Sequence, residues 1–294
     1  MEAITDITHL RSLSQIIATS NFRKIVREND YYSTLYRLRK YAIIEDSTTI
    51  LDAINVIYDS LLKNYRNEYV YKNILTNKLL LKKYSLKNTI ALNEFNIGNS
   101  IADFVLLNGE ARVYEIKTEL DKLEKLDKQV LDYCKFGDKV YIVTCSKHIN
   151  KLIELYENST IGIIELTSRN ALKTIREATS NEVTFSYDVL FKTLRKQEYL
   201  EIIKEYFNFV PAVSNTRIFK ECLALAKNIE ISLFQKMVVA KLKSRNISNP
   251  KKIQEKTIPE SLKHICYTLD FSKNEYEKLN TFLNQKSKIC ISHI

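Results

Sequence analysis

Glycine and proline are scarce in this chain, with only 4 Gly and 3 Pro in 294 residues. Folds made of many short strands need both residues at their turns, so such a fold is excluded as the dominant architecture and helix is expected to prevail. No apolar run reaches the roughly 18 residues that a membrane-crossing helix requires. The opening residues, Met1-Glu-Ala-Ile-Thr-Asp-Ile-Thr, lack the basic start and apolar stretch of a secretory signal. The cysteines Cys134, Cys145, Cys222, Cys266 and Cys290 are odd in number and form no close pair at zinc-knuckle or redox spacing. A cytoplasmic protein with buried thiols and no membrane partner is expected. Repeats, low-complexity tracts and flexible linkers are absent as well, which predicts regions packed into one body.

What is present is a chain with 45% hydrophobic residues, enough to bury a sizeable core, and a surplus of ten positive charges from 45 Lys and Arg against 35 Asp and Glu. A polyanion would be attracted to it, although a lysine-rich surface also serves solubility alone.

Apolar residues recur at helical spacing from Ile7 to about Tyr65, in the groups Leu10, Leu13, Ile16 and Ile17, then Leu35, Leu38 and Ile43, then Leu51, Ile54, Ile57 and Leu61, which predicts three helices. Asp46-Ser-Thr-Thr offers caps for the third. Asn67 to Tyr84 continues in helix. The period then changes: Asn88 to Ile97, Ser100 to Leu107 and Ala111 to Lys117 alternate as strands, and Asn108-Gly109 marks the turn between the last two. A helix over Leu123 to Lys135, a buried strand Lys139 to Thr144, a helix from His148 to Tyr156 and a strand Gly162 to Leu166 follow. Helical periods return near 187–207, 216–226, 229–245, 259–269 and 273–285, with Pro250 and Pro259 as breaks. The fold class expected is α/β, a mixed four- to five-stranded sheet flanked by helices. All-helical terminal regions occupy 1–65 and 181–294, around a core at 66–180.

Chemistry concentrates on the strand Val113-Tyr-Glu-Ile-Lys-Thr. Side chains alternate along a strand, so Glu115 and Lys117 share one face, about 6.6 Å apart along it. Phosphodiester hydrolysis needs a divalent cation, and hard cations such as magnesium take carboxylate oxygens. Glu115 can supply one ligand while Lys117 reaches the attacking water or the developing charge. Asp103 on the preceding strand joins them only if the loop at Asn108-Gly109 has an odd length, because a two-residue loop pairs Asp103 with Tyr114 and turns it away. An odd loop with Gly109 left-handed is therefore expected. Gln129 and Tyr133 lie one above the other on their helix, an amide and a phenol able to hydrogen-bond a nucleic-acid strand or the water. Glu68 opens a helix and could add a carboxylate; Glu94, on the strand before Asp103, is the alternative. His148 reads as a helix-start residue rather than a nucleophile's base, and the basic run Lys241 to Arg245 could track a phosphate backbone.

The order Glu68, Ala102-Asp103, Glu115-Ile-Lys117 and Gln129-Val-Leu-Asp-Tyr133 resembles the PD-(D/E)XK nuclease superfamily in its RecB-like form, with Ala102 where proline is usual. More narrowly, Asp103 to Val143, with Leu190-Phe-Lys-Thr-Leu-Arg-Lys-Gln-Glu and Leu242-Lys-Ser-Arg, is similar to an uncharacterised bacterial family known by a locus-tag name; the likeness spans roughly Glu68 to Arg245. The resemblance implies a restriction-endonuclease-like core and a magnesium ion, replaceable by manganese, held by Asp103, Glu115 and the Ile116 carbonyl, with Lys117 orienting water. DNA is implied as substrate ahead of RNA, in settings such as phage defence. The rival expectations are an inactive nuclease-fold module that grips nucleic acid or a protein partner, and a helical adaptor with an incidental sheet; on either reading or the enzymatic one, a protein partner or a homodimer through the helical regions is a further expectation.

Overall fold

The computed structural model describes residues 4–42, 45, 47–84, 86–245 and 247–286. Ile43, Asp46 and Cys290 of the sequence reading lie outside the described residues. The chain divides into two compact units, Met1–Tyr84 with Ile247–Ile294, and Ser85–Asn246. The boundaries thus fall at 84/85 and 246/247, where the sequence reading places them near 65 and 180.

The first unit begins with helices α1 (Ile7–Ser14), α2 (Thr19–Arg23), α3 (Tyr32–Tyr41), α4 (Ile50–Asn64) and α5 (Glu68–Leu75), one more before Tyr65 than the three expected. The extra helix arises because α2, continued by a π turn over Lys24–Glu28, is short and buries only Phe22, Ile25 and Val26. Thr49 caps α4 through a reciprocal bond with Asp52, and Asn67 accepts from the Val70 amide to start α5. A π-helical run, Thr76–Lys83, prolongs α5 as the unbroken apolar pattern predicts.

In the second unit the strands are β1 (Ile90–Ile97), β2 (Ser100–Leu107), β3 (Ala111–Lys117), β4 (Lys139–Thr144), β5 (Gly162–Leu166) and β6 (Leu172–Arg176), interleaved with α6 (Leu126–Cys134) after β3 and α7 (Ser146–Leu155) after β4. They form one mixed sheet in the order β1-β2-β3-β4-β5-β6. β1, β2 and β3 are an antiparallel meander, β4 and β5 add in parallel through their helices, and β6 turns back antiparallel. The sheet therefore has six strands where four to five are expected. Leu172-Lys-Thr-Ile-Arg is an edge strand with no fully buried residue, so it lacks the apolar alternation that betrays an interior strand.

Val105, Leu107, Val113, Val140, Ile142 and Ile163 pack from the sheet against Leu126, Val130 and Tyr133 of α6. Each fully buried aliphatic side chain contributes about 1.5–3 kcal/mol, so this layer fixes the helix to the sheet. The same core takes in α8 (Tyr187–Lys192), α9 (Lys196–Phe207), α10 (Asn215–Ala226) and α11 (Ile231–Lys243). The first of the expected C-terminal helices is thus split at Thr193–Arg195.

The first unit resumes with α12 (Pro250–Gln254), α13 (Lys263–Leu269) and α14 (Lys273–Leu283). Pro250 opens a helix at its first position rather than only breaking one, where a missing N–H costs nothing. Asn73 links the separated segments of this unit: its amide nitrogen donates to the Tyr58 hydroxyl at 2.7 Å and the Glu260 carbonyl at 2.8 Å, and its oxygen accepts from the His264 amide at 3.0 Å. Among the described residues no helix is long and apolar enough to cross a membrane, and Cys134, Cys145, Cys222 and Cys266 are free thiols.

Candidate functional site

The β2–β3 loop determines which side chains meet. Leu107 pairs with Ala111, leaving the three-residue loop Asn108-Gly109-Glu110, and Gly109 adopts φ +73°. This is the odd loop expected. The register runs on through Val105 with Val113 to Phe104 with Tyr114, where the ladder ends; the same register carried one step further sets Asp103 opposite Glu115. On the other side, Asn93 pairs with Phe104 and Phe95 with Ala102, which sets Glu94 opposite Asp103. Residues opposite one another share a sheet face. Three carboxylates thus stand in a row across β1, β2 and β3, and a carboxylate oxygen of Glu94 lies within 4.8 Å of one of Asp103.

The row grades inward from exposed Glu94 through half-buried Asp103 to Glu115, which is 1% exposed. Asp103 Oδ2 accepts from the Ile116 amide at 2.8 Å, just past the last ladder pair, which pins the carboxylate to β3. Glu115 Oε1 accepts from Lys117 Nζ at 2.6 Å, and Lys117 also donates to Gln129 Oε1 at 3.0 Å. Tyr133 places its hydroxyl 2.7 Å from Glu115 Oε2 and 2.8 Å from the Ile101 carbonyl oxygen. Burial raises the Glu115 carboxyl above the ordinary range, and the Lys117 ammonium with the Tyr133 and Gln129 hydrogen bonds offsets only part of that. Burial, then the negative charge of Glu115, holds the Tyr133 phenol far above its usual value, so it remains a proton donor.

Glu115, Lys117, Gln129 and Tyr133 are thus joined by hydrogen bonds, and Asp103 is bonded to the backbone of the residue between Glu115 and Lys117. Tyr133 differs from the sequence reading in one respect: it is fully buried and addresses Glu115, so it positions that carboxylate and does not reach toward a nucleic-acid strand. Glu68 belongs to the first unit, where it begins α5 and pairs with Lys72 at 2.5 Å. Lys241 pairs with Glu201 and Glu205, and Arg245 grips Glu198. Those cations hold α9 to α11 and its end, which removes them as a free phosphate track. His148 is the third residue of α7 and holds the chain after β3, its Nε2 lying 3.1 Å from the Thr118 carbonyl oxygen.

Several supports were not read from the sequence. Asp132 Oδ2 accepts from the Asn99 amide and the Ser100 hydroxyl, and Asp127 accepts from Tyr156, so α6 is tied down at both ends and its Gln129 and Tyr133 cannot drift. Burial works against the Asp132 carboxylate, but Lys135, Ser100 and Asn99 outweigh it and lower its pKa. Asp121 accepts from the Thr118 amide and hydroxyl, and Thr144 donates to the Lys117 carbonyl, which shapes the backbone just past the lysine. The Thr-x-x-Asp spacing from Thr118 was a legible turn signal.

The second unit is thus a mixed α/β sheet layered with helices, bearing on one face a row of carboxylates that ends in a lysine. The family model described as Bacteriophage P4 protein cII matches residues 62–266, and the chain belongs to that family. Protein cII of Enterobacteria phage P4 is 25% identical over 171 residues, 56% of this chain and 63% of that protein. The chain thus covers less than two thirds of the length of that curated relative. A solved structure, a protein of unknown function from Silicibacter pomeroyi, is similar over 44% of this chain and 87% of its own, at 13% identity and a TM-score of 0.27. At that score the likeness does not establish a common fold.

Proposed function

We propose that the second unit is a metal-dependent nuclease of the PD-(D/E)XK type that hydrolyses phosphodiester bonds, in DNA ahead of RNA. The observation that carries this reading is the convergence of Asp103, Glu115 and Lys117 from adjacent strands, with Gln129 and Tyr133 of α6 bonded to the last two. A mixed sheet flanked by helices supports the same reading, although it has six strands where the resemblance implies four.

Magnesium or manganese fits the donor set, because carboxylates and a carbonyl offer only hard oxygens. Asp103, Glu115 and the Ile116 carbonyl would hold the ion, with exposed Glu94 close to Asp103 as a further ligand. When bound, it supplies charge that polarises the phosphate and eases deprotonation of water. The residues of the chain do the rest. The Ile116 amide fixes Asp103; Tyr133 and Lys117 each bond one Glu115 oxygen and favour its ionised form; each oxygen keeps a further lone pair. Gln129 steers the Lys117 ammonium toward the place where negative charge develops.

A second reading, an inactive module that grips nucleic acid or a protein partner, is favoured by one feature: both Glu115 oxygens are engaged by the protein and the carboxylate is enclosed. The two separate in one experiment. Purified protein and its Lys117→Ala variant are incubated with plasmid, linear duplex, single-stranded DNA and RNA, with magnesium or manganese. Cleavage by the wild type alone supports the enzyme. Equal cleavage by both reports a contaminant, and no cleavage of any substrate supports the module.

A further inference from the structure

Helix α3, Tyr-Ser-Thr-Leu-Tyr-Arg-Leu-Arg-Lys-Tyr, carries three cations and no acidic residue. Thr34, Leu35 and Leu38 turn into the core of the first unit, which leaves Tyr32 and Tyr36 outward, 61% and 45% exposed. These two are one helical turn apart and nearly parallel, with ring centroids 6.2 Å apart and planes 14° apart. Lys40 Nζ lies 5.4 Å from the Tyr36 ring centre and 5.3 Å from that of Tyr41.

The face is concave. A cavity of about 450 Å³ opens between α1 and α3, with Arg11, Tyr32, Tyr36, Arg37 and Tyr41 in its wall, hydroxyls from Ser12 and Ser33, and no carboxylate in its lining among the described residues. Arg37 is held by the Ser33 carbonyl and hydroxyl, neither of which neutralises it. Arg11 pairs with no carboxylate among the described residues. A solvated helix face would mix charges of both signs. Here aromatic faces and cations with no carboxylate partner among the described residues lie around one hollow, the combination that holds an unpaired strand: bases stack on the rings, and phosphates meet the cations.

The geometry points to a binding site for single-stranded nucleic acid on α1 and α3, built from Tyr32, Tyr36, Arg11, Arg37 and Lys40. The site lies outside residues 62–266 that match the family, and it stands independently of the proposed hydrolysis in the second unit. A duplex hides its base faces and is a poor occupant; an acidic protein segment would use the cations without needing the stacked pair.

The test uses the full chain with Lys117→Ala in EDTA, so that binding is read without cleavage, by fluorescence anisotropy of labelled oligothymidylate and oligouridylate. Joint replacement Tyr32→Ala and Tyr36→Ala should weaken binding by about tenfold to a hundredfold, while Tyr36→Phe, which keeps the ring, holds the wild-type affinity. Arg11→Ala and Arg37→Ala should weaken binding and flatten its salt dependence, by about 0.7 in the logarithmic slope for each phosphate no longer neutralised. The two oligonucleotides distinguish DNA from RNA as the preferred strand. Binding of neither, equal or tighter binding of blunt duplex, or affinity unmoved in the double tyrosine variant while its melting curve matches wild type would overturn the site.

Discussion

Tyr133 donates its phenol to the buried Glu115 carboxylate at 2.7 Å, from the helix that follows the strand bearing Glu115. A hydrogen bond to the charged form favours it, so the bond lowers a pKa that burial has already raised. Tyr133→Phe leaves the ring packed and removes only the hydroxyl. In the proposed metal site Glu115 must be ionised to serve as a ligand, so the acid limb of the pH–rate profile for that reaction should move to higher pH, by roughly one unit for a bond worth about 1.5 kcal/mol. Cleavage rates across pH, with manganese held constant, give the shift. An unmoved limb would mean that Tyr133 acts on packing alone.

Lys117 is the cation that compensates Glu115, and both side chains are almost enclosed. Lys117→Met keeps the aliphatic stem and deletes the charge. On the proposed nuclease function, the cleavage rate should fall by about 10²–10³-fold through lost stabilisation of developing charge, with a folded protein by circular dichroism. Single-turnover cleavage is the measurement, and a rate within a few-fold of wild type would exclude Lys117 from the chemistry.

The strands β2 and β4 are legible to the residue because turn residues bound their apolar runs, Asn108-Gly109 after β2 and Gly137-Asp138 before β4, and the loop parity follows from requiring Asp103 and Glu115 to meet. What escaped has one cause in each case. β6 is an exposed edge with little apolar signal. The inward aim of Tyr133 depends on what lies above its helix face, which periodicity does not report. The joining of the two chain ends in one unit rests on hydrogen bonds such as Asn73 to Glu260, 187 residues apart, which no local pattern encodes.

Gly98 and Gly109 both take left-handed φ, at +63° and +73°, yet they should respond differently to alanine. At Gly109 an added Cβ meets nothing within 4 Å, so Gly109→Ala costs only the backbone strain, about 1 kcal/mol. At Gly98 the Cβ would fall 2.9 Å from Asp132 Cγ and Oδ1. It would therefore also displace the carboxylate that ties the β1–β2 turn to α6, and Gly98→Ala should cost about 3 kcal/mol. Urea titrations of the two variants decide this, and equal losses would show that the Asp132 anchor is dispensable.

His264 is fully enclosed in the first unit, its Nδ1 2.9 Å from the Thr76 hydroxyl, and burial, with the nearby Lys72 charge, lowers its pKa to about 3 from an ordinary 6.5. The native state thus keeps the ring neutral where the unfolded chain would protonate it. Between those two values the unfolded state binds the extra proton, so stability is full above about pH 6.5 and declines as the pH falls, by up to about 1.4 kcal/mol per unit. His264→Gln retains a polar side chain that does not titrate. It should be less stable than wild type near neutrality, because a fitted ring is lost, but its loss between about pH 6.5 and pH 4.5 should be smaller. Urea titrations of both proteins over that range measure the two slopes, and parallel lines would place the acid sensitivity of this unit on some other group.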